Sequence, residues 1–383
     1  MTPPPEPSRP HLPRLGRAPD APDLVARGPE SLPVVVPHLV GFVPEHSFVV
    51  VGLELGSNRS VITLRFDIPP AGLSDDELVQ VLGVWTYSME ALRRAGAAAV
   101  TVVLYPGDAD DRWSDVVVDE LPYRELAELL EEMLVAAEYE VREVVCVVGE
   151  RVRSYLCDNL DCCPTEGRAL DPSEALRIRA SLVEQGSAPM PSRRAVAEAL
   201  DAREDDDEFR GAVLRARPGA LARQSSDVVQ DVEAFLHAAA RWGRDRDGRI
   251  KRFTRLVATA GLLVTDIAPR DYLLRELAVE CDRPELEAVR AVLTEAVRCA
   301  RGPEVAPLAA VLGVAAWLAG DGAAARVALD RSLAADPAYS LAHLVMTALD
   351  DGIPPWSWRE SMRDLTAEAI LAAARRGHER SPA

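Results

Sequence analysis

Three of the six cysteines, Cys157, Cys162 and Cys163, fall within YLCDNLDCCPTEGRAL (155–170). Thiols at that density bind a thiophilic metal ion, form a reversible disulfide, or pack as small apolar groups. A tetrahedral zinc site needs three or four thiolate or imidazole ligands, usually supplied as C-x2–4-C pairs. The four-residue gap between Cys157 and Cys162 fits that range. A vicinal pair such as Cys162–Cys163 rarely sets both sulfurs on one ion. A fourth ligand would come from elsewhere, and His38 and His46 in PHLVGFVPEHS (37–47) are the candidates by layout. Each of them reads more simply as a hydrogen-bonded turn residue. A disulfide from Cys157 to Cys162 or Cys163 needs a thiolate within reach. Asp158, Asp161 and Glu166 in the same loop are expected to raise the thiols and slow that attack. Zinc is the cofactor the pattern allows, and all three readings stay open on the sequence.

The elements that would position this loop follow from patterning. SFVVVGLEL (47–55) and SVITLRFDI (60–68) are β-branched runs joined by a Gly/Asn turn, which predicts a hairpin. SDDELVQVLGVWTYSMEALRRAG (74–96) opens on a Ser-Asp cap and continues with helical apolar spacing. AAAVTVVLYPGD (97–108) predicts a buried strand, 121–139 a second helix, and EVREVVCVVGE (140–150) a third buried strand with Cys146 as apolar filler. RVRSYL (151–156) is expected to pair back as an edge strand running into the cysteine loop, and 172–184 to form a helix. Pro37 and Pro44 bracket HLVGF and predict a fixed turn there. A hairpin followed by strand–helix alternation gives an α/β layered domain with a mixed sheet.

In such sheets ligands sit beyond the carboxyl ends of the strands. If the strands at 97–108 and 140–150 are parallel, Asp108, Glu150 and Arg151 share one rim with Cys157. That rim, with His38 near it, is the candidate ligand site.

Beyond QGSAPMPSRR (185–194) no strand is predicted, and helical periodicity runs to about residue 376. The expected division is a Pro-rich disordered tail over 1–28, the α/β domain over 29–185, a linker and helix over 186–224, and an all-α domain over 225–378. Within the last, LGVAAWLAGDGAAARVALDRSLAADP (312–337) has the small-residue spacing of a tetratricopeptide-like helical hairpin. Such a hairpin makes the all-α domain a candidate surface for a protein partner.

The chain has 383 residues, 48% hydrophobic and 27% charged, with a formal net charge of −18. That charge repels phosphate backbones and anionic lipid, so nucleic-acid binding is disfavoured. The basic stretch RWGRDRDGRIKRFTR (241–255) is interrupted by aspartates and reads as a solvated helix face. The N-terminal residues lack the apolar core of an export signal, and PLAAVLGVAAWLAG (307–320) is too short for a bilayer span. A cytoplasmic location without a membrane segment is expected. Neither a phosphate-binding glycine loop nor H-E-x-x-H nor G-x-S-x-G occurs, and nothing in the sequence compels an enzyme.

Three segments, PHLVGFVPEHSFVVVGL (37–53), YLCDNLDCCPTEGRAL (155–170) and AAWLAGDGAAARVALDRSLAADPAYSLA (315–342), together resemble the actinobacterial family called domain of unknown function 4192. The resemblance spans about residues 30 to 360. It implies a cytoplasmic actinobacterial protein and supplies no activity. Its recurring positions include Pro37, His38, Cys157, Cys162, Cys163 and the Gly-Asp-Gly turn at 320–322. The family commonly has an acidic residue where this chain has His46, which weakens His46 as a ligand. The expected function is a regulatory or scaffolding protein that pairs a metal or redox cysteine cluster with a helical protein-interaction domain. The competing expectation is an enzyme or small-ligand binder working at the sheet edge beside the cysteine loop.

Overall fold

The computed structural model describes residues 28–380 except 58, 71–73, 109, 118–119, 185–186, 202–205, 222–226 and 245–249. The expected tail, apart from Gly28, and the centre of the basic stretch at 241–255 lie outside the described residues.

A mixed sheet forms the N-terminal layer. Its strands are β1 (Ser47–Leu53), β2 (Ser60–Asp67), β3 (Ala99–Tyr105), β4 (Glu140–Val148), β5 (Arg151–Ser154) and β6 (Arg168–Ala169), in the order β2-β1-β3-β4-β5-β6. Among these described strands β3 and β4 alone are parallel; every other strand pairing is antiparallel. β1 and β3 are buried along their whole length, as runs of valine flanked by helices require. Alternation sends Phe48, Val50, Val102, Leu104 and Cys146 to one face, and Val49, Val51, Val103, Val145 and Val147 to the other. Each fully buried valine or leucine contributes about 1.5–3 kcal/mol. Cys146 is fully buried in the sheet, as its sequence context indicated.

The helices of this layer are α1 (Leu32–Val40), α2 (Asp75–Arg94), α3 (Trp113–Val116), α4 (Arg124–Ala136) and α5 (Pro172–Glu184). α2 starts at a capping box, with Ser74 and Glu77 each satisfying the other's backbone N–H. α1 replaces the fixed turn expected between Pro37 and Pro44. Pro33 lies in the first turn, where no N–H donor is needed, and Pro37 removes a single ladder bond. Burial of Val34, Val36 and Val40 outweighs that loss. Gly41 then stops the helix at φ +88°, its N–H donating to the Pro37 carbonyl at 2.8 Å.

The C-terminal layer is all helix: α6 (Arg193–Glu198), α7 (Asp206–Leu221), α8 (Val228–Arg244), α9 (Ile250–Thr265), α10 (Ile267–Val279), α11 (Arg283–Cys299), α12 (Val305–Leu318), α13 (Gly322–Ala335), α14 (Ser340–Asp350), α15 (Pro355–Arg363) and α16 (Ala367–Arg380). α15 and α16 are separate helices because Thr366 Oγ1 accepts the Ala369 N–H and starts the second. The hairpin expected at 312–337 is α12–α13, with Asp321 capping α13. A Cβ on Gly313 would stand 2.8 Å from Leu329 Cγ and 3.3 Å from the Ala325 carbonyl, so the two helices meet where the small residues were counted. All fourteen residues of α12 are buried, which puts this hairpin at the centre of the helical core. Val213 and Ala220 of α7 join the same core.

The two layers pack on each other. Phe42 and Met190 form an isolated bridge, Tyr87 donates to the Asp351 carboxylate, and Gly352 abuts Ala91 of α2. No described helix is long and apolar enough to cross a membrane.

Candidate functional site

The cysteine loop leaves the sheet at the end of β5. Ser154 Oγ accepts the Leu156 N–H at 3.1 Å and donates to Glu143 at 3.0 Å, which sets the exit direction. The backbone then turns about Asn159. Its carbonyl accepts the N–H groups of Cys162 and Cys163 at 3.1 and 2.7 Å, and its side-chain oxygen accepts that of Asp161 at 3.0 Å. This turn folds residues 162–163 back toward Cys157. Gly167, at φ +68°, closes the loop against Trp113, whose indole N–H donates to the Thr165 carbonyl at 2.9 Å.

As a result Sγ of Cys157, Cys162 and Cys163 all lie within 4.8 Å of one another. Thiolates on one zinc, at about 2.3 Å from the ion, stand about 3.8 Å apart. The sulfurs therefore need to close by at most about 1 Å, and the vicinal pair does not prevent it. Cys163 is buried, Cys157 half-buried and Cys162 exposed. Arg168 donates to the Cys162 carbonyl at 3.3 Å and to its sulfur at 3.9 Å, and also pairs with Glu30.

The Asn159 N–H, and after it the Cys163 thiol, hold Cys157 below the usual thiol range. The expectation that the loop acids would raise this thiol is thereby corrected: the nearest partners are hydrogen-bond donors. Burial pushes Cys163 up to about 11. Since the thiolate is the reactive form, iodoacetamide at neutral pH should alkylate Cys157 well before Cys163 in reduced, metal-free protein. Peptide mapping of the labelled sites checks that order.

His38 and His46 do not join the sulfurs; among the described residues the cluster is three cysteines alone. Both histidines belong to the sheet rim. β3 and β4 are parallel, and at their carboxyl ends Tyr105, Asp108 and Glu150 line a cavity of about 290 Å³ with His38 and Arg179. His46 Nε2 pairs with Asp108 at 3.1 Å, and Arg179 pairs with Glu150. His38 Nδ1 shares a hydrogen bond with Ser187 Oγ at 3.0 Å. Burial, and the nearby Arg179 charge to a smaller extent, outweigh a hydrogen bond to the Ser187 backbone and hold His38 below the usual imidazole value.

Two expected members are absent from this rim cavity. Arg151 instead donates to the carbonyls of Glu166 and Gly167, each at 2.9 Å, and so fastens the cysteine loop. Cys157 is carried away because β5 runs antiparallel to β4: Arg151 faces Val148 at the rim, whereas Ser154 already faces Val145. The thiols and the rim are two separate places, which corrects the expected convergence. Tyr105, Asn159, Arg168 and Arg179 were missed. Of these only Tyr105 carried a sequence signal, as the last residue of a buried strand before a Pro-Gly turn.

A sheet of this topology capped by a helical layer and bearing a three-thiol loop defines an α+β protein with a candidate soft-metal centre. Residues 29–356 match the family model described as Domain of unknown function (DUF4192), and the chain belongs to that family. No curated protein and no solved structure matches it.

Proposed function

We propose that the protein is a regulatory protein whose cysteine loop binds a thiophilic divalent ion, zinc in the first instance, through Cys157, Cys162 and Cys163. The observation that carries this reading is the approach of three sulfurs to within 4.8 Å. Three thiolates leave one position of a tetrahedral ion to an exogenous ligand, and an ion held that way exchanges more readily than one in a closed four-cysteine site. Exchange suits a sensor better than a structural rivet. Arg168 touches the loop and Glu30 together, and Glu30 lies in the short turn that leads into α1, so ordering of the loop by metal would be felt there. In this reading the helical layer presents the outcome to a protein partner.

Elemental analysis of protein purified under reducing conditions should return close to one zinc per chain. A metal-free protein that also fails to take up added zinc would end the proposal. A second reading, a reversible disulfide from Cys157 to Cys163, is favoured by the lowered Cys157 thiol beside its partner. Thiol counting before and after a mild oxidant would then lose two thiols from the loop peptide.

A further inference from the structure

The cysteine loop supplies three sulfur ligands and no more. Although Asp158, Asp161 and Glu166 share the loop, no carboxylate or imidazole belongs to the cluster among the described residues. Zinc therefore has to take its fourth ligand from solution. A trivalent metalloid has no such need, because arsenite and antimonite centres bond to three donors and fill the remaining direction with their own lone pair. They are also soft centres, which thiolates suit better than oxygen ligands do. A triangle of sulfurs without a hard ligand matches that demand in number and in type.

Charge points the same way. Zinc on three thiolates keeps one net negative charge, whereas trivalent arsenic on three thiolates is neutral. Arg168 reaches Cys162 Sγ at 3.9 Å but already pairs with Glu30. Cys163 is buried and the chain carries a net charge of −18, so an unbalanced anion in the loop is disfavoured. Arsenite is an uncharged trihydroxide at neutral pH, and an acidic surface does not repel it. The exposed Cys162 offers the first point of contact, and Cys157 and Cys163 stand within 4.8 Å of it.

We infer that the loop binds a trivalent metalloid, arsenite being the defining case, through Cys157, Cys162 and Cys163 together. That rests on the three-sulfur site of the proposed reading and not on zinc. Each of the three As–O bonds is exchanged for an As–S bond, and each hydroxide leaves as water with the proton of one thiol. Arsenic stays trivalent, so the exchange needs neither oxidant nor reductant.

The test adds sodium arsenite to the full-length, metal-free protein, kept reduced with a phosphine because a thiol reductant would itself bind arsenic. Native mass spectrometry should show one arsenic per chain with the loss of three hydrogens. Absorption at the arsenic edge should show sulfur and no oxygen around the bound atom. Cys157→Ser, Cys162→Ser and Cys163→Ser should each weaken arsenite by at least about 10-fold, because every one removes a primary bond. Cys162→Ser carries most weight, since serine at an exposed position leaves the fold intact. Zinc and arsenite should compete, each raising the apparent dissociation constant of the other. Zinc held by three sulfurs together with no uptake of arsenite would overturn the metalloid assignment and leave the zinc reading standing. Arsenite on three sulfurs with no uptake of zinc would do the reverse. Unchanged arsenite affinity in Cys162→Ser would reduce the site to an ordinary dithiol and overturn the assignment as well.

Discussion

Zinc should bind the Cys163→Ser protein at least about 100-fold more weakly than the native chain. Loss of an outer-shell partner alone costs 10–100-fold in metal affinity, and a serine hydroxyl in place of a thiolate removes a primary bond. Cys163 is the most informative of the three because it is buried, so no solvent-borne ligand easily replaces it. Its proton, held up to about 11 by burial, must leave when the ion arrives. Binding is therefore accompanied by proton release, and affinity should fall as pH falls. Competition against a chromophoric chelator measures both effects. Cys146→Ser and Cys281→Ser serve as controls, since both thiols are buried outside the cluster and neither should alter zinc affinity. Equal affinity in Cys163→Ser and the native chain would remove the three-sulfur site.

The second large effect concerns the joint between the layers. Gly352→Ala should destabilise the protein by about 2–6 kcal/mol, the sum of two penalties. Gly352 ends α14 at φ +59°, a conformation that costs a side-chain-bearing residue about 1–3 kcal/mol. The added methyl would also overlap Ala91 Cβ and stand 3.1 Å from Ala91 Cα, a backbone atom of a fully buried residue in α2 that cannot swing aside. Overpacking of that kind costs about 1–3 kcal/mol. The double variant Ala91→Gly, Gly352→Ala separates the two, because it restores space and leaves the dihedral strain. Denaturant unfolding of the three proteins should show partial recovery in the double variant. An unchanged Gly352→Ala midpoint would mean that α2 and the end of α14 do not touch.

Much of this architecture is written in local patterns. β1, β3 and β4 announce themselves as valine runs because both faces of the sheet are covered, and α5 begins at the proline where its helix was expected. The Gly313–Leu329 contact follows from counting small residues across the turn at 320–322. α1 did not show itself, since two prolines within nine residues argue for a turn, and only burial against the sheet makes the helix worth forming. The functional places were half legible. Cysteine spacing identifies the loop, but the direction in which β5 leaves the rim is a matter of strand pairing, and that alone separates Cys157 from Asp108 and Glu150. The sign of the Cys157 shift was equally hidden, because it is set first by a backbone N–H two residues on.

X-ray absorption at the zinc edge on the zinc-loaded protein tests the central claim most directly. Three sulfur scatterers at about 2.3 Å with one lighter atom are predicted. A shell of nitrogen and oxygen alone would contradict the assignment of Cys157, Cys162 and Cys163 as the metal ligands.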